Sequence, residues 1–436
     1  MASTPSPKRR LASCAASDSD PMNTTMRMHR AGATSRVSSR APVFGVQHSV
    51  SSVRTSPSCP AALPKEGVNA ASPAPRVSAA RSVQRASRVR VSAAAANPDY
   101  RSKAPKDVRV LVVGPTGYIG KFVTNELIKR GYDVVAFSRP KAGIKGKMSK
   151  EDTTKEFPGA TVCFGDVADP KSIRDVAFEK QVDVVVSCLA SRTGGKKDSW
   201  AIDYQATKNV LDVAREKGAA HFVLLSAICV QKPTLEFQKA KLKFEGDLAA
   251  AGDITYSIVR PTAFFKSLAG QIELVKQGKP YVMFGDGNLA SCKPISEADL
   301  ANFIADCAVL PDKINKLLPI GGPGRAYSAK DQADMLFRIT GNKPNYFPVP
   351  IALMGGIIGL IDFFARFFPE QLEDAAEFGR IGRYYAEESM LVWDPVKEVY
   401  VEALTPSYGK DTLEAFFTKA VKEGLKGQEL GDQAVF

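Results

Sequence analysis

Three glycines at the spacing G-x-x-G-x-x-G are the residues best suited to chemistry: Gly114, Gly117 and Gly120. Glycines let a pyrophosphate approach the backbone closely, because no Cβ atom stands in the way. Exposed N–H groups and the positive end of a following helix dipole then hold the anion. The sequence therefore predicts a dinucleotide phosphate site made by Gly114, Thr116, Gly117, Tyr118, Ile119 and Gly120.

The elements around these glycines must place them at the end of a strand. An apolar run at 110–113 is typical of a parallel strand that is buried on both faces. Helix-like spacing follows, Gly131 stands where a helix would stop, and a second strand is predicted at 133–137. A complete βαβ unit favours nucleotide binding over a turn that merely joins strand to helix.

The end of the second predicted strand indicates which dinucleotide is bound. The residues there are Ser138 and Arg139, followed by Lys141, with no carboxylate to accept from a ribose 2′-OH. An arginine fork suits a 2′-phosphate in geometry and charge, although a solvated surface residue is the alternative. We therefore predict NADPH as the cofactor, with Ser138 and Arg139 in its site.

The alternation of strands and helices continues along the chain. Further strands are predicted at 161–164, 182–187, 222–225 and 256–259, with helical stretches between them. Such a pattern implies right-handed crossovers and an α/β fold, a Rossmann-type doubly wound parallel sheet. We predict a cofactor-binding core at 97–260. Residues 261–436 are predicted to form a smaller, partly helical substrate region, with some strands returning to the core sheet.

Ligands of doubly wound sheets bind at the carboxyl ends of the strands. The residues that follow the predicted strands are therefore further candidates for the cofactor site. They are Asp166, Val167, Leu189, Ala190, Ser226, Arg260, Pro261 and Thr262.

Residues 1–96 differ in composition from the rest. They hold fourteen Lys and Arg against three acidic residues, whereas the remainder holds 45 against 43. An Arg/Ser-rich, acid-poor leader is typical of an organellar transit peptide, and its length favours a plastid and a chloroplast location. A disordered basic tail is the alternative. Because the rest is nearly neutral, we predict no nucleic-acid partner.

Cysteine and histidine usage argues against metal chemistry. Five cysteines follow the leader, widely spaced and without a C-x-x-C pair, and His221 is the one histidine there. This pattern predicts reduced thiols, no metal site and no histidine-dependent triad. His221, just before a buried strand, is predicted to be structural.

Several motifs together resemble the atypical short-chain dehydrogenase/reductases. They are GPTGYIG at 114–120, GDV at 165–167, DYQATKNV at 203–210, RPT at 260–262 and ISEADLA at 295–301. Two longer stretches, 237–248 and 348–369, resemble more closely the NADPH-dependent 8-vinyl reductases of chloroplasts. The resemblance implies reduction of the 8-vinyl group of a divinyl chlorophyllide or protochlorophyllide to ethyl. That substrate is a Mg-tetrapyrrole, so the magnesium would arrive with it.

The resemblance also locates a catalytic residue. Short-chain dehydrogenases carry Tyr-x-x-x-Lys on one helix face, and the matching positions here are Phe237 and Lys241. By this match Lys241 binds the nicotinamide ribose. Phe237 cannot donate to an oxyanion, but reduction of a vinyl group forms none. The proton donor is left open between Ser226, Tyr256 and water, and Phe237 is also compatible with core packing or an inactive fold.

The implied substrate is a large flat ring with a carboxylate. Phe237, Phe264 and Phe265 are candidates for its walls, with core packing as the alternative. Arg192, which opens the basic loop at 192–197, is a candidate partner for the propionate, with a solvated loop as the alternative.

The apolar stretch at 349–368 is interrupted by Asp362 and Arg366, and its uncharged core is shorter than the roughly 20 residues that span a bilayer. A membrane-surface segment in peripheral contact with plastid membranes, a lid over the pigment and ordinary packing are its three interpretations. For the whole chain, two other functions stay open: another atypical short-chain reductase of the isoflavone-reductase type, or a non-catalytic NADPH-binding assembly or RNA-associated protein of plastids.

Overall fold

The computed structural model describes residues 100–143, 146–365 and 369–425. The predicted leader at 1–96 lies outside these ranges, as do residues 366–368 of the apolar stretch.

Thirteen strands and twelve α-helices are found in the described ranges, besides short 3-10 and π-helical segments. The strands are β1 Arg109–Val113, β2 Asp133–Ser138, β3 Thr161–Phe164, β4 Val184–Ser187, β5 His221–Leu225, β6 Thr255–Pro261, β7 Tyr281–Phe284, β8 Ser291–Cys292, β9 Lys316–Ile320, β10 Tyr327–Ser328, β11 Tyr346–Val349, β12 Val392–Asp394 and β13 Val399–Val401. The helices are α1 Tyr118–Lys129, α2 Lys150–Glu156, α3 Pro170–Ser172, α4 Lys196–Asp198, α5 Thr207–Glu216, α6 Glu236–Ala249, α7 Ile272–Lys276, α8 Glu297–Cys307, α9 Ala329–Thr340, α10 Ile351–Ala365, α11 Pro369–Glu387 and α12 Leu413–Glu423.

Seven of the strands form one parallel sheet in the order β3-β2-β1-β4-β5-β6-β9. The chain leaves β1 toward β2 and β3 and then returns to β4 on the other side of β1. Because the order of strands reverses there, the crevice at their carboxyl ends opens between β1 and β4. The predicted doubly wound Rossmann-type sheet is confirmed.

The sequence of β1 explains its central place. Val110 and Val112 are fully buried in the core on one face, with α1 and α8, and Leu111 and Val113 are fully buried on the other, with α5 and α6. A strand whose two faces are both covered carries apolar residues without alternation. That continuous pattern is the one that the sequence shows.

After residue 260 one strand returns to the core sheet, and one predicted helix is much shorter than expected. β9 extends the sheet by a seventh strand after the boundary predicted at residue 260, pairing Val259 with Leu318. The helix predicted from Pro170 is only one turn, α3, followed by a π-helical turn at Ile173–Ala177.

The region after β6 builds its own core beside the sheet. α7, α9 and α12 enclose an apolar cluster that includes Phe265, Leu336 and Phe417. Smaller sheets pair β7 with β11, β8 with β10 and β12 with β13. Ile358 of α10 packs against Gly379 of α11, so these two helices form a hairpin.

A helix that crosses a bilayer needs about 20 predominantly apolar residues, and this requirement applies to the described helices. None of them combines the length and the apolar character that a membrane crossing requires.

His221 lies at the start of β5, at the end of the sheet away from the crevice. Its Nδ1 lies 2.8 Å from Thr255 Oγ1, and its Nε2 lies 3.1 Å from both Ser257 Oγ and the carbonyl oxygen of Cys307. Burial disfavours the imidazolium and lowers the pKa of His221 to about 3. These contacts give the ring a structural role.

Because His221 is buried as a neutral imidazole, we expect the folded protein to lose stability in acid. The unfolded chain binds a proton at His221 near pH 6.5, whereas the folded chain does so only near pH 3. The contribution of neutral His221 to the free energy of unfolding is therefore complete above pH 6.5. It is lost as the pH falls toward 3, at about 1.4 kcal/mol per pH unit. Chemical denaturation at pH 7.0 and 5.0 should show this loss, and a His221→Gln variant should show a shallower dependence. Equal slopes would contradict the assignment.

Candidate functional site

The turn after β1 is closed so tightly that it requires glycine. Gly114 has a φ of +78°, and a Cβ there would lie 3.0 Å from the carbonyl oxygen of Cys188. At Gly120 a Cβ would lie 2.0 Å from the carbonyl oxygen of Gly114. The absence of these Cβ atoms lets β1, the turn and α1 approach one another and leaves backbone open to a ligand. The cradle therefore fits the pyrophosphate of a dinucleotide.

The start of α1 supplies the charge complement for an anion. Gly117 caps the helix in an extended conformation without a side chain, and its N–H donates to the carbonyl oxygen of Gly114 at 3.1 Å. The first turn, which the structure describes in full, contains no acidic residue. The first N–H groups of a helix have no partner within it, and the helix dipole adds positive charge at this end, so the start of α1 suits an anion. Thr116 precedes this helix start, and Ile119 lies in its first turn.

Tyr118, the first residue of α1, connects the glycine turn to the region after β6. Its ring centroid lies 6.0 Å from that of Phe264 in an edge-on contact, and Lys266 Nζ lies 4.6 Å from the Tyr118 ring centroid. The Tyr118 hydroxyl is buried without a hydrogen-bond partner in the described structure. Phe264 therefore borders the site. Phe265 does not, because its side chain is buried in the core with α9 and α12.

Arg139 and Arg192 approach each other at the outer end of the crevice. Arg139 follows β2, and the Arg192 guanidinium donates to the carbonyl oxygen of Gly143 at 3.4 Å. Partial burial, and then the positive charge of Arg192, lower the pKa of Arg139 from its usual value, while Asp166 and Asp198 act in the opposite direction. Two guanidinium groups held near each other form a positive site for a phosphate. Arg192 thus lies near the predicted 2′-phosphate position.

The remaining candidates of the outer half follow β2, β3 and β4. Ser138 is buried at the end of β2, and Asp166 is exposed after β3, where its carboxylate accepts the N–H of Ala168 at 2.9 Å. Val167 is buried in the core, and Leu189 and Ala190 lie progressively more exposed beyond β4. These residues all follow the carboxyl ends of neighbouring strands of the sheet.

Lys241 of α6 is held by a buried carboxylate. Its Nζ lies 2.9 Å from Oδ1 of Asp203, and the two side chains are 10% and 0% exposed. The backbone N–H of Ser191, just after Ala190, lies 3.3 Å from both carboxylate oxygens of Asp203. The lysine and the loop after β4 are therefore joined through one aspartate.

A second buried carboxylate joins the ends of β5 and β6 to the same helix. Ser226 Oγ donates to Oε1 of Glu245 at 2.5 Å, and the Arg260 guanidinium donates to both oxygens of Glu245. The Arg260 side chain is 12% exposed and that of Glu245 is 4% exposed. Arg260 therefore anchors α6 to β6, beside buried Pro261 and Thr262.

Tyr256 is far from this group because it lies at the amino end of β6. Its N–H donates to the side chain of Asn315, and its strand partner is Phe222 near the start of β5. The cofactor crevice lies at the other end of these strands. The structure thus removes Tyr256 from the candidate proton donors.

Phe237 packs beneath α11. It belongs to a small apolar cluster whose other members are Ala227, Cys229, Leu235, Ile381, Tyr384 and Tyr385. The hydroxyl of Tyr384 donates to the carbonyl oxygen of Cys229 at 3.0 Å. Phe237 lies one helical turn before Lys241 on α6, and its ring packs in the apolar cluster between α6 and α11.

The thiols near the site are unsuited to nucleophilic or metal chemistry. Burial raises the pKa of Cys188 to about 12 and also raises that of Cys229, so both remain protonated. Within the ranges that the structure describes, no group of three or more His, Cys, Asp or Glu side chains could hold a metal ion.

Sequence reasoning missed Asp203 and Glu245. Asp203 lies within the DYQATKNV motif, and Glu245 follows Lys241 by four residues, which places both on one face of α6. That spacing is a usable signal. The partners could not be found from sequence, because both ion pairs join residues that are distant along the chain.

Proteins with this sheet order bind dinucleotides where the order reverses, and the geometry of the glycine turn places the chain among nicotinamide-dependent Rossmann proteins. A sequence profile described as NAD(P)H-binding matches residues 114–311. An NADPH-dependent quinone oxidoreductase of Escherichia coli, QOR2, solved with NADPH, has a similar fold. Its TM-score is 0.50 at 17% identity, over 71% of this chain and 98% of that one.

Closer relatives define the family. The divinyl chlorophyllide a 8-vinyl-reductase of Cucumis sativus is 61% identical over 345 residues, which is 77% of this chain and 82% of the relative. That of Arabidopsis thaliana is 60% identical over 352 residues, 79% of this chain and 84% of the relative. The chain belongs to the chloroplastic divinyl chlorophyllide a 8-vinyl-reductase family, and the predicted resemblance is confirmed.

Proposed function

We propose that this chloroplast protein uses NADPH to reduce the 8-vinyl group of divinyl chlorophyllide a to an ethyl group. The chain is an oxidoreductase that acts on a carbon–carbon double bond with a nicotinamide cofactor. The observation that carries the proposal is the family relationship at 61% identity. The position of Phe237 one turn before a buried Lys241 adds chemical support, because a carbonyl reductase would need a donor there.

Some residues of the crevice are proposed to bind the cofactor, and others are proposed to orient the pigment beside it. The glycine turn and the start of α1 bind the pyrophosphate, and Lys241 binds the ribose hydroxyls near the reacting end. The cofactor supplies the hydride when it is bound. Phe237, one turn before Lys241, and Phe264, beside Tyr118, are proposed to contact the pigment ring, which delocalises the negative charge that develops on it.

Two observations reduce the number of candidate proton donors. The hydroxyl hydrogen of Ser226 is directed to Glu245, and Tyr256 lies at the other end of its strand. Of the three candidate proton donors named from the sequence, we propose water in the crevice. Reduction in deuterium oxide should place one deuterium in the new ethyl group, because the second hydrogen comes from an exchangeable donor and not from NADPH.

The decisive experiment is anaerobic incubation of the protein with NADPH and divinyl chlorophyllide a, followed by mass analysis of the pigment. A gain of two hydrogens, absent when NADPH is omitted, is the expected result. Oxidation of NADPH by a lignan or isoflavonoid substrate but not by the pigment would favour the isoflavone-reductase-like alternative. No oxidation with any substrate, despite NADPH binding, would favour the assembly-factor alternative.

Preference for NADPH over NADH is assigned to the pair of arginines after β2 and β4. Arg139→Ala should raise the KM for NADPH by about ten-fold to one hundred-fold and leave the KM for NADH nearly unchanged, because the lost contact is a charge-assisted bond to the 2′-phosphate. Steady-state kinetics with both cofactors measures this. We expect Arg192→Ala to act in the same direction.

The matched control is an arginine that forms a surface ion pair away from the crevice. Arg174 follows β3 but pairs with Glu216 on the protein surface. Arg174→Ala should leave both KM values unchanged. Equal increases for NADPH and NADH in Arg139→Ala would refute the phosphate assignment.

The exposed side of α10 is proposed to contact plastid membranes peripherally. Leu353, Ile357, Leu360 and Phe364 recur at helical spacing and are 46–60% exposed, whereas Ile358 on the opposite side is buried against α11. A helix with one apolar face can lie in the plane of a membrane interface. This arrangement supports the membrane-surface interpretation over the lid, because these side chains point away from α11.

Vesicle flotation tests the membrane proposal. The protein should float with vesicles of plastid galactolipids, and Leu353→Ser combined with Leu360→Ser should abolish flotation. Leu289→Ser is the matched control, because Leu289 is also exposed, at 48%, but lies in the loop between β7 and β8. Equal flotation of the double variant and the wild type would contradict the proposal.

A further inference from the structure

Asp203 is a buried acid that the proposed chemistry does not consume. Its side chain is 0% exposed, and its charge is met by the ammonium of Lys241 at 2.9 Å. The described structure also directs one backbone donor to it, the N–H of Ser191. A buried carboxylate is costly unless it is paired and hydrogen-bonded, so this arrangement needs a reason.

The helix that carries Asp203 departs from α-helical geometry at that point. Residues Ser199–Ala206 form a π-helical segment between α4 and α5, and this segment packs against α6. Such insertions are uncommon and are found frequently at functional sites, because they redirect side chains. Here the segment carries the Asp203 carboxylate to the interface with α6, where Lys241 meets it.

The pair does not have a clear role in stability. A buried ion pair contributes little more to folding than an apolar pair of the same volume, since desolvation offsets the attraction. Orientation is a better explanation. The same carboxylate fixes the Lys241 side chain and the backbone of Ser191, which directly follows the candidate cofactor residues Leu189 and Ala190.

We propose that Asp203 is a positioning residue that holds Lys241 and the loop after β4 in the arrangement that binds the nicotinamide ribose. The inference rests on the role that the proposed function gives to Lys241. Asp203 acts through Lys241 and the loop, and it transfers no proton. Its carboxylate sets where the ammonium points, and its contact with Ser191 sets the distance between that ammonium and the loop.

A matched control lies at the other end of β4, the strand whose following loop contains Ser191. Asp183 is also buried, its Oδ1 lies 2.8 Å from Lys103 Nζ, and its Oδ2 accepts the backbone N–H of Arg109 at 2.9 Å. It thus combines a lysine partner with a backbone donor, as Asp203 does. It precedes β4, at the amino edge of the sheet, away from the crevice.

The test is a double-mutant cycle with NADPH affinity as its readout, measured by fluorescence titration of the full chain. Asp203→Asn and Lys241→Met should each raise the Kd for NADPH by about ten-fold, and the double variant should be no worse than Lys241→Met alone, because interacting residues are non-additive. Asp203→Glu should recover part of the affinity. Asp183→Asn should lower the melting temperature but leave the Kd unchanged.

Three results would overturn the inference. They are an unchanged Kd in Asp203→Asn, additive losses in the double variant, and an equal loss of affinity in Asp183→Asn. Binding is measured without pigment, so a wild-type protein that binds NADPH but reduces no divinyl chlorophyllide contradicts the proposed function alone. The cycle then still decides the role of Asp203.

Discussion

Lys241→Ala should lower turnover by about 100-fold or more, because it removes the ammonium that we propose holds the ribose at the reacting end of the cofactor. Lys241 is largely buried and is fixed at 2.9 Å from Asp203, so water cannot replace its charge at the same place. Single-turnover reduction of divinyl chlorophyllide with saturating NADPH measures the chemical step separately from cofactor binding. The loss should persist at saturation.

The same substitution should also destabilise the fold, and the two effects can be separated. Removing Lys241 leaves the Asp203 carboxylate buried without its counter-charge, which costs about 3 to 5 kcal/mol. Adding Asp203→Asn removes that charge, so the double variant should regain stability but not turnover. Recovery of turnover together with stability would show that Lys241 matters only for folding.

Lys239→Ala is the control on the same helix. Lys239 is exposed and pairs with Glu236 one turn before it, an interaction of small energetic value. Its substitution should leave turnover and stability nearly unchanged. A comparable loss in Lys239→Ala would indicate a general sensitivity of α6 rather than a role for Lys241.

Gly120→Ala should abolish dinucleotide binding and destabilise the protein. The added Cβ would lie 2.0 Å from the carbonyl oxygen of Gly114, a backbone atom that cannot move aside without opening the turn. Overpacking of this kind costs about 1 to 3 kcal/mol or more, and the start of α1 would be displaced from the phosphate. NADPH titration and thermal unfolding measure the two effects.

Gly246→Ala provides the opposite case. Gly246 lies within α6, and apart from its own helix backbone and chain neighbours no atom would lie within 4 Å of its Cβ. Alanine there should stabilise the helix by about 0.5 to 1 kcal/mol and leave NADPH binding unchanged. If Gly120→Ala behaved like Gly246→Ala, the close approach of β1, the turn and α1 would not be needed for binding.

The half of the fold that contains β1 to β6 could be predicted from sequence because its signals are local. Val110–Val113 reads as a buried strand, and the glycine spacing and Gly131 delimit α1 on either side. The sequence predicts that some strands after residue 260 return to the sheet but does not locate β9, since Lys316–Ile320 is short and contains a proline. It joins the sheet at an edge, where a missing backbone donor is tolerated.

The candidate site was predictable only in part, because only some of its residues are marked by local sequence signals. Positions at strand ends follow from the fold class, so Arg139 and Ala190 could be placed at one edge. The partners of Lys241 and Arg260 could not, because contacts between distant segments leave no short-range pattern. Phe265 illustrates the limit, since sequence cannot tell it from its neighbour Phe264, and only one of them borders the crevice.

The buried acid–base pairs of α6 have a consequence for variation in chain length. Lys241 and Glu245 face different partners from one side of a single helix, and one inserted residue rotates everything beyond it by about 100°. An insertion between Phe237 and Lys241 would therefore swing both charges away from Asp203 and Arg260 at once. We expect libraries of insertions and deletions to leave 236–249 unchanged in length, while point changes accumulate on its outer face.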